Sequence, residues 1–222
     1  MKTKIVSSKT SKKFKLGDHI CSIYQNKEQQ FPQVIAFFKN GLENNHKCIY
    51  IADENTTEEV MAEFKKAGIK IEKYINSGQF SILTKNETYT RNGSFEPEKM
   101  IAFLKESEAN TLKEGYSGFR VSGEMTWMLK NISDSKKLIE YESKLNDFLP
   151  NSKSAAICQY NENKFDQNIL IDVIRTHPTL IIYGISYKNK YFYNSPYFIE
   201  GARGIFPPSS YSTIIDIIKE KK

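Results

Sequence analysis

The chain lacks glycine where its best-formed strand–loop–helix unit would most need it. His19 to Tyr24 reads as a buried strand, Gln25 to Gln30 as a loop, and Val34-Ile35-Ala36-Phe37-Phe38 as the opening of a helix. Lys47 to Glu54 reads as the next strand. This layout belongs to nucleotide-binding domains, whose loop reads G-x-x-x-x-G-K-[ST]. Here the loop is Gln25-Asn26-Lys27-Glu28-Gln29-Gln30-Phe31-Pro32. It has no glycine to curl backbone N–H groups around a phosphate and no Lys-Ser/Thr pair at the helix start. Glu28 would repel an anion. The scaffold suggests an NTPase, and the loop argues against one.

Other absences narrow the function further. No run approaches the roughly 18 apolar residues of a membrane span, and no apolar stretch follows the N-terminal charges as in a signal peptide. Three cysteines, far apart in the sequence, make no disulfide framework. Cys21, Cys48 and Cys158 fall inside predicted strands, where a thiol behaves as a small hydrophobe, so a cytoplasmic location is expected. No C-x-x-C, H-E-x-x-H or G-x-S-x-G spacing occurs. His19, Cys21, Cys158 and His177 could be drawn as a zinc set. Both histidines fall at the amino end of the sheet and both cysteines in mid-strand, so no metal, no cofactor and no nucleophilic catalysis are expected.

The 222 residues are 39% hydrophobic and 13% aromatic, enough for one α/β domain with a sizeable core. Much of the net charge of +6 is local: Lys2, Lys4, Lys9, Lys12, Lys13 and Lys15 precede the first acid, Asp18. Such a basic leader reads as a solvated tail more readily than as a binding arm. The expected organisation is a leader over residues 1–15, one domain over 16–206, and a short terminal helix within 207–222 behind Pro207-Pro208.

Helices are expected from Thr57 to Lys66, from Pro97 to about Lys113, from Ser135 to Phe148 and from Phe165 to Thr176. Strands are expected at Phe80 to Leu83, Gly118 to Glu124, Ala155 to Tyr160 and Thr179 to Gly184. Trp127 falls in a helix after Glu124. Tyr187 to Phe198 carries six aromatics among polar residues and reads as a loop or edge hairpin. Apolar strands alternating with helices predict a three-layer fold: a mostly parallel sheet with helices on both faces.

In open parallel sheets ligands bind beyond the carboxyl ends of the strands. That rule nominates Tyr24, Asp53, Glu54, Ser122, Glu124, Gln159 and Tyr160, with Trp127 beside them and Arg120 as a partner for Glu124. Each has a plainer role open to it. Trp127 packs as core, Asp53-Glu54 caps the next helix, and an Arg120–Glu124 pair is structural. An acidic, aromatic site without a glycine nest suits a small, mostly apolar molecule.

Several segments, in order, resemble the MEDS domain, a sensory domain of methanogens and methylotrophs. They are His19-Ile20-Cys21-x-x-Tyr24 with Glu28, Gly41-Leu42 before Cys48-Ile49-Tyr50-Ile51, Gly118 to Trp127, Glu140-Tyr141-Glu142 with Leu145-Asn146, Cys158-Gln159-Tyr160, and Asp172 to Pro178. The resemblance spans about residues 16–200. It implies a sensor of small hydrocarbon derivatives in signal transduction or transcription regulation, on a RecA-like scaffold akin to circadian-clock-type ATPases. Asp53-Glu54 looks like the position of the water-activating glutamate of those ATPases, here a relic. Family members carry DNA-binding, kinase or PAS modules. This chain shows none, so output is expected through a protein partner such as a regulator or kinase, or from a longer protein. A homodimer is compatible with this; membrane association and direct nucleic-acid binding are not expected. Two other readings compete: a divergent ATPase gripping nucleotide without the usual loop, and a nucleic-acid module using the basic leader and the Lys/Tyr-rich segment.

Overall fold

The computed structural model describes residues 14–91, 93–130, 135–193 and 210–220. Seven strands form one sheet: β1 (His19–Tyr24), β2 (His46–Ala52), β3 (Phe80–Thr84), β4 (Gly118–Glu124), β5 (Ser154–Asn161), β6 (Thr179–Ile182) and β7 (Ile185–Lys188). Their order is β3-β2-β4-β5-β1-β6-β7. All neighbours run parallel except β7, which pairs antiparallel with β6 through Tyr183-Gly184. Both turn residues have positive φ, at 51° and 83°, as a tight hairpin requires.

Helices cover both faces. On one lie α1 (Lys27–Glu43), α2 (Thr57–Lys66) and α3 (Ile71–Asn76). On the other lie α4 (Pro97–Lys113), α5 (Ser135–Phe148), α6 (Gln167–Thr176) and α7 (Tyr211–Glu220). Every residue of β1, β4 and β5 is buried, as expected for central strands covered on both sides. Each side forms its own core. Phe31, Phe37, Phe38, Phe64 and Phe80 dominate one; Leu104, Leu138, Leu145, Leu170 and Val173 lie in the other. Each such side chain contributes about 1.5–3 kcal/mol.

The three-layer, mostly parallel sheet is the expected fold, and α2, α4 and α5 have the expected bounds. Three expectations need correction. Residues 27–30 are not a loop: α1 starts at Lys27, because the Asn26 side chain accepts the Gln29 amide. Pro32 lies inside that helix on its exposed side, where water can take the carbonyl that proline leaves unpaired. The short helix α3 was not foreseen. The segment after Glu124 forms a 3₁₀ turn, Thr126–Lys130, rather than an α-helix. Residues 1–13 of the leader, residues 194–198 of the aromatic segment and Pro207-Pro208 lie outside the described residues.

Candidate functional site

Two buried carboxylates, one on each face of the sheet, organise the polar chemistry of the molecule. The first is Glu124, the last residue of β4 and fully buried. Its Oε2 accepts the backbone N–H groups of Asp53 (2.8 Å), Glu54 (2.5 Å) and Asn55 (3.0 Å). Its Oε1 accepts the Tyr50 hydroxyl at 2.5 Å and Asn55 Nδ2 at 2.7 Å. These three amides form the approach to α2, whose first turn is closed separately by a capping box between Thr56 and Glu59. The carboxylate therefore fills an anion nest with the chain's own charge. Burial, and then Glu124 itself, pushes the Tyr50 phenol well above its ordinary pKa, so the hydroxyl stays a donor.

Most of the expected site residues gather here, and each is engaged by protein. Tyr24 Oη donates to Glu54 Oε2 at 3.2 Å; Glu54 also accepts Asn161 Nδ2 at 2.7 Å and pairs with Lys164 at 3.2 Å. Asp53 pairs with Lys85 and accepts the Thr126 hydroxyl at 2.8 Å. Gln159 accepts Gln30 Nε2 at 2.8 Å and donates to Ser122 Oγ at 2.9 Å. Burial raises the Tyr24 phenol, and Glu54 and Glu124 add to the effect.

Arg120 and Tyr160 are not part of this group. Arg120 does not pair with Glu124. Four residues of strand span about 13 Å, and Arg120 sits toward the amino end of β4. There it donates to His46 Nδ1 (3.0 Å), Asn40 Oδ1 (2.7 Å) and the carbonyls of Phe37 (3.1 Å) and Phe14 (3.3 Å). The same alternation points Tyr160 to the other face, away from Gln159.

Trp127 lies against that other face in an aromatic chamber. Its ring stacks on Tyr89, with centroids 4.7 Å apart, and meets Phe95 at 4.5 Å; Tyr141 closes on both at 6.2 and 5.6 Å. Gly123 makes room for this packing, since a Cβ there would lie 2.0 Å from Tyr89 Oη. Trp127 Nε1 is buried with no hydrogen-bond partner among the described residues. Outside Tyr89 lies a cavity of about 240 Å³, walled by Met100, Ala102 and Phe103 together with the charged Glu87, Arg91 and Lys99.

The second carboxylate, Glu142 on α5, was not anticipated as a site residue. His19 opens β1, Cys158 lies in β5, and His177 follows α6. Together with Glu142 they bring one ligand atom each to within 4.8 Å of the others, all buried. The ground for expecting no metal thus fails in part: His19 and His177 do meet Cys158, while Cys21 stays outside the group. Tyr160 Oη donates to Glu142 Oε1 at 2.5 Å. Burial pushes the Glu142 carboxyl up; the charge and N–H bonds of His177 and His19 in their protonated forms outweigh it and hold it well below the usual range. Burial and then His177 lower the His19 imidazole; burial and then Glu142 push the Cys158 thiol well up. The sequence did carry a signal. Glu142 and Asn146 are polar residues one turn apart on the buried face of α5, beside Leu138, Tyr141 and Leu145.

The chain belongs to a sensory family with a RecA-like fold. That family is MEDS, the methanogen/methylotroph, DcmR sensory domain, whose profile matches residues 18–178. Among solved structures, the fold is similar to the KaiC-like protein PH0186 of Pyrococcus horikoshii, at 13% identity over 75% of this chain and 71% of that one, TM-score 0.52. It is also similar to the flagellar accessory protein FlaH of Methanocaldococcus jannaschii, at 14% identity over 76% and 71%, TM-score 0.50. At these identities the likeness establishes the fold alone. No curated protein matches the chain. Among the described residues no helix is long and apolar enough to cross a membrane.

Proposed function

We propose that this sensory domain detects a small, mostly apolar organic molecule, without chemical turnover, and reports it to a protein partner. The observation that carries the reading is the chamber around Trp127. Tyr89 and Phe95 pack on the buried Trp127 ring, Tyr141 closes on both, and the indole N–H has no acceptor among the described residues. An orphaned donor costs about 1–3 kcal/mol, which a ligand offering one acceptor would recover. Aromatic walls with a single polar anchor suit a hydrocarbon derivative. The cavity outside Tyr89 gives such a molecule an approach.

The carboxyl edge of the sheet supports a role other than catalysis on nucleotides. Only Gln25 and Asn26 separate β1 from α1, and Asn26 caps that helix. Glu124 occupies the amides before α2. Before α2 a phosphate would find the three amides already taken, and before α1 no glycine-rich loop.

The test is a thermal-shift screen of halomethanes, methylated amines, methylated sulfides and short alcohols, with magnesium–ATP alongside. A ligand at 100 times its dissociation constant adds about 2.7 kcal/mol, roughly 5–10 °C for a domain of this size. Trp127 is the sole tryptophan, so its emission reports the chamber directly. A stabilising organic ligand should shift or quench that emission, and Trp127→Phe should alter the order of preference. Stabilisation by magnesium–ATP, or by an organic ligand that leaves Trp127 emission untouched, would overturn the assignment.

A further inference from the structure

The protons around Glu142 are arranged the wrong way for a plain hydrogen-bond cluster. Asn146 Nδ2 donates to the carbonyls of Thr176 (2.7 Å) and Glu142 (3.3 Å), which fixes the amide orientation. Asn146 Oδ1 therefore faces His19 Nδ1 at 2.8 Å, and that ring nitrogen carries the proton. His177 Nδ1 lies 2.6 Å from the Val173 carbonyl and carries its proton for the same reason. When neutral, both imidazoles then present bare Nε2 lone pairs to Glu142 Oε2, at 3.0 and 3.2 Å. The His177 contact lacks hydrogen-bond geometry: its Nε2 is buried with no hydrogen-bond partner among the described residues.

Protonation resolves this poorly. One imidazolium still leaves the other lone pair against a carboxylate. Two would place cationic rings 4.0 Å apart, at no more than 1% exposure, around one carboxylate. A cation among the four ligand atoms resolves it. The fixed Nδ1–H groups are then the outer-shell bonds by which metal-ligating histidines are oriented, and Tyr160 does the same for the carboxylate.

The geometry points to a zinc-class divalent metal site formed by His19 Nε2, His177 Nε2, Cys158 Sγ and Glu142 Oε2. A tetrahedral zinc ion holds N and O ligands about 3.3 Å apart, and either about 3.6 Å from a thiolate sulfur. The corresponding separations are 3.0 and 3.2 Å for the two histidines against Glu142, 3.3 Å for Cys158 against Glu142, and 3.8 Å for Cys158 against His19. Two imidazoles, a thiolate and a carboxylate neutralise a divalent ion, so the buried group carries no net charge. Metal enters as the Cys158 thiol proton leaves to solvent. All four positions belong to the protein and are closed to water, the pattern of a structural site. The ion would tie α5 and the turn after α6 to β1 and β5.

The site is tested on the full chain, unfolded with chelator and refolded with cobalt(II). One cobalt per chain is expected, with the strong visible bands of four-coordinate cobalt and a thiolate-to-cobalt charge-transfer band. Zinc should displace both. The near-isosteric Cys158→Ser should abolish the charge-transfer band, while Cys21→Ser and Cys48→Ser should keep it. Native mass spectrometry of the wild type refolded with zinc should show one ion per chain. A folded wild type that takes up neither metal, or a charge-transfer band that survives Cys158→Ser, would overturn the site.

Discussion

Replacing Glu124 separates a structural lock from a ligand contact. The carboxylate is fully buried and serves five close donors. In Glu124→Ala these donors fare differently. The Asp53 and Glu54 amides are partly exposed, so water can replace the lost acceptor. The Tyr50 hydroxyl, the Asn55 amide and Asn55 Nδ2 are buried, and each orphaned donor costs about 1–3 kcal/mol. Partial relaxation brings the expected loss to roughly 3–6 kcal/mol. Glu124→Gln keeps one acceptor oxygen for the amide nest but loses the charge. The Tyr50 hydroxyl and the Asn55 side-chain carboxamide can reorient to accept from its NH₂, so the expected loss is about 1–3 kcal/mol.

The assay is urea unfolding combined with amide hydrogen exchange. The unfolding midpoint should fall in the order wild type, Gln, Ala, at constant slope. Exchange at Asp53, Glu54 and Asn55 should accelerate before the rest of the sheet is affected. An Ala variant with wild-type midpoint and unchanged exchange at these three amides would refute the lock.

Gly41→Ala should destabilise by about 1–3 kcal/mol in the same assay, despite alanine's better helix propensity, because the core is overpacked. The new Cβ would lie 2.4 Å from Arg120 Cδ and 2.9 Å from its Nε, and Arg120 is held by hydrogen bonds on every side; an unchanged midpoint would contradict this. His46 accepts the Arg120 Nε–H, and burial, then the guanidinium, lowers its pKa from 6.5 to about 4. The unfolded chain thus takes up a proton that the folded one refuses. This contribution to stability is intact above pH 6.5 and falls as pH drops toward 4. His46→Gln, which keeps an acceptor without titrating, should lose less stability over that interval; equal pH slopes would contradict the assignment.

The strands and the long helices were legible because they combine clear periodicity with strong punctuation: Thr56 and Gly68 around α2, Pro97 as the first residue of α4, Pro178 after α6. The start of α1 was not, because Pro32 mimics a helix start and the true cap, Asn26, lies earlier. Within the site, chain order placed Tyr24, Asp53, Glu54, Ser122, Glu124 and Gln159 together, since each sits at or near a strand's carboxyl end. Arg120 failed on arithmetic available beforehand, the rise of a strand. The Glu142 group failed for a different reason. Its members come from β1, α5, β5 and the end of α6, and only the sheet order β5-β1-β6 makes them neighbours. Local pattern carries no record of that order.

The two carboxylates set the two faces of the sheet apart. RecA-like sheets gather N–H donors beyond their carboxyl edge, where an anion is stabilised. Here that anion is Glu124, and the groups bonded to it are donors: three amides, a phenol and two carboxamides. Glu124 needs nothing from solution, and an incoming phosphate would have to displace it. Glu142 stands in the opposite condition. Two of its neighbours are ring nitrogens whose protons already point elsewhere, to Asn146 and Val173. An anion met only by donors is complete, whereas one that also faces two ring lone pairs, beside its Tyr160 and Cys158 donors, calls for a cation. The direction of a few protons thus makes one side of the sheet a closed lock and the other a coordination site.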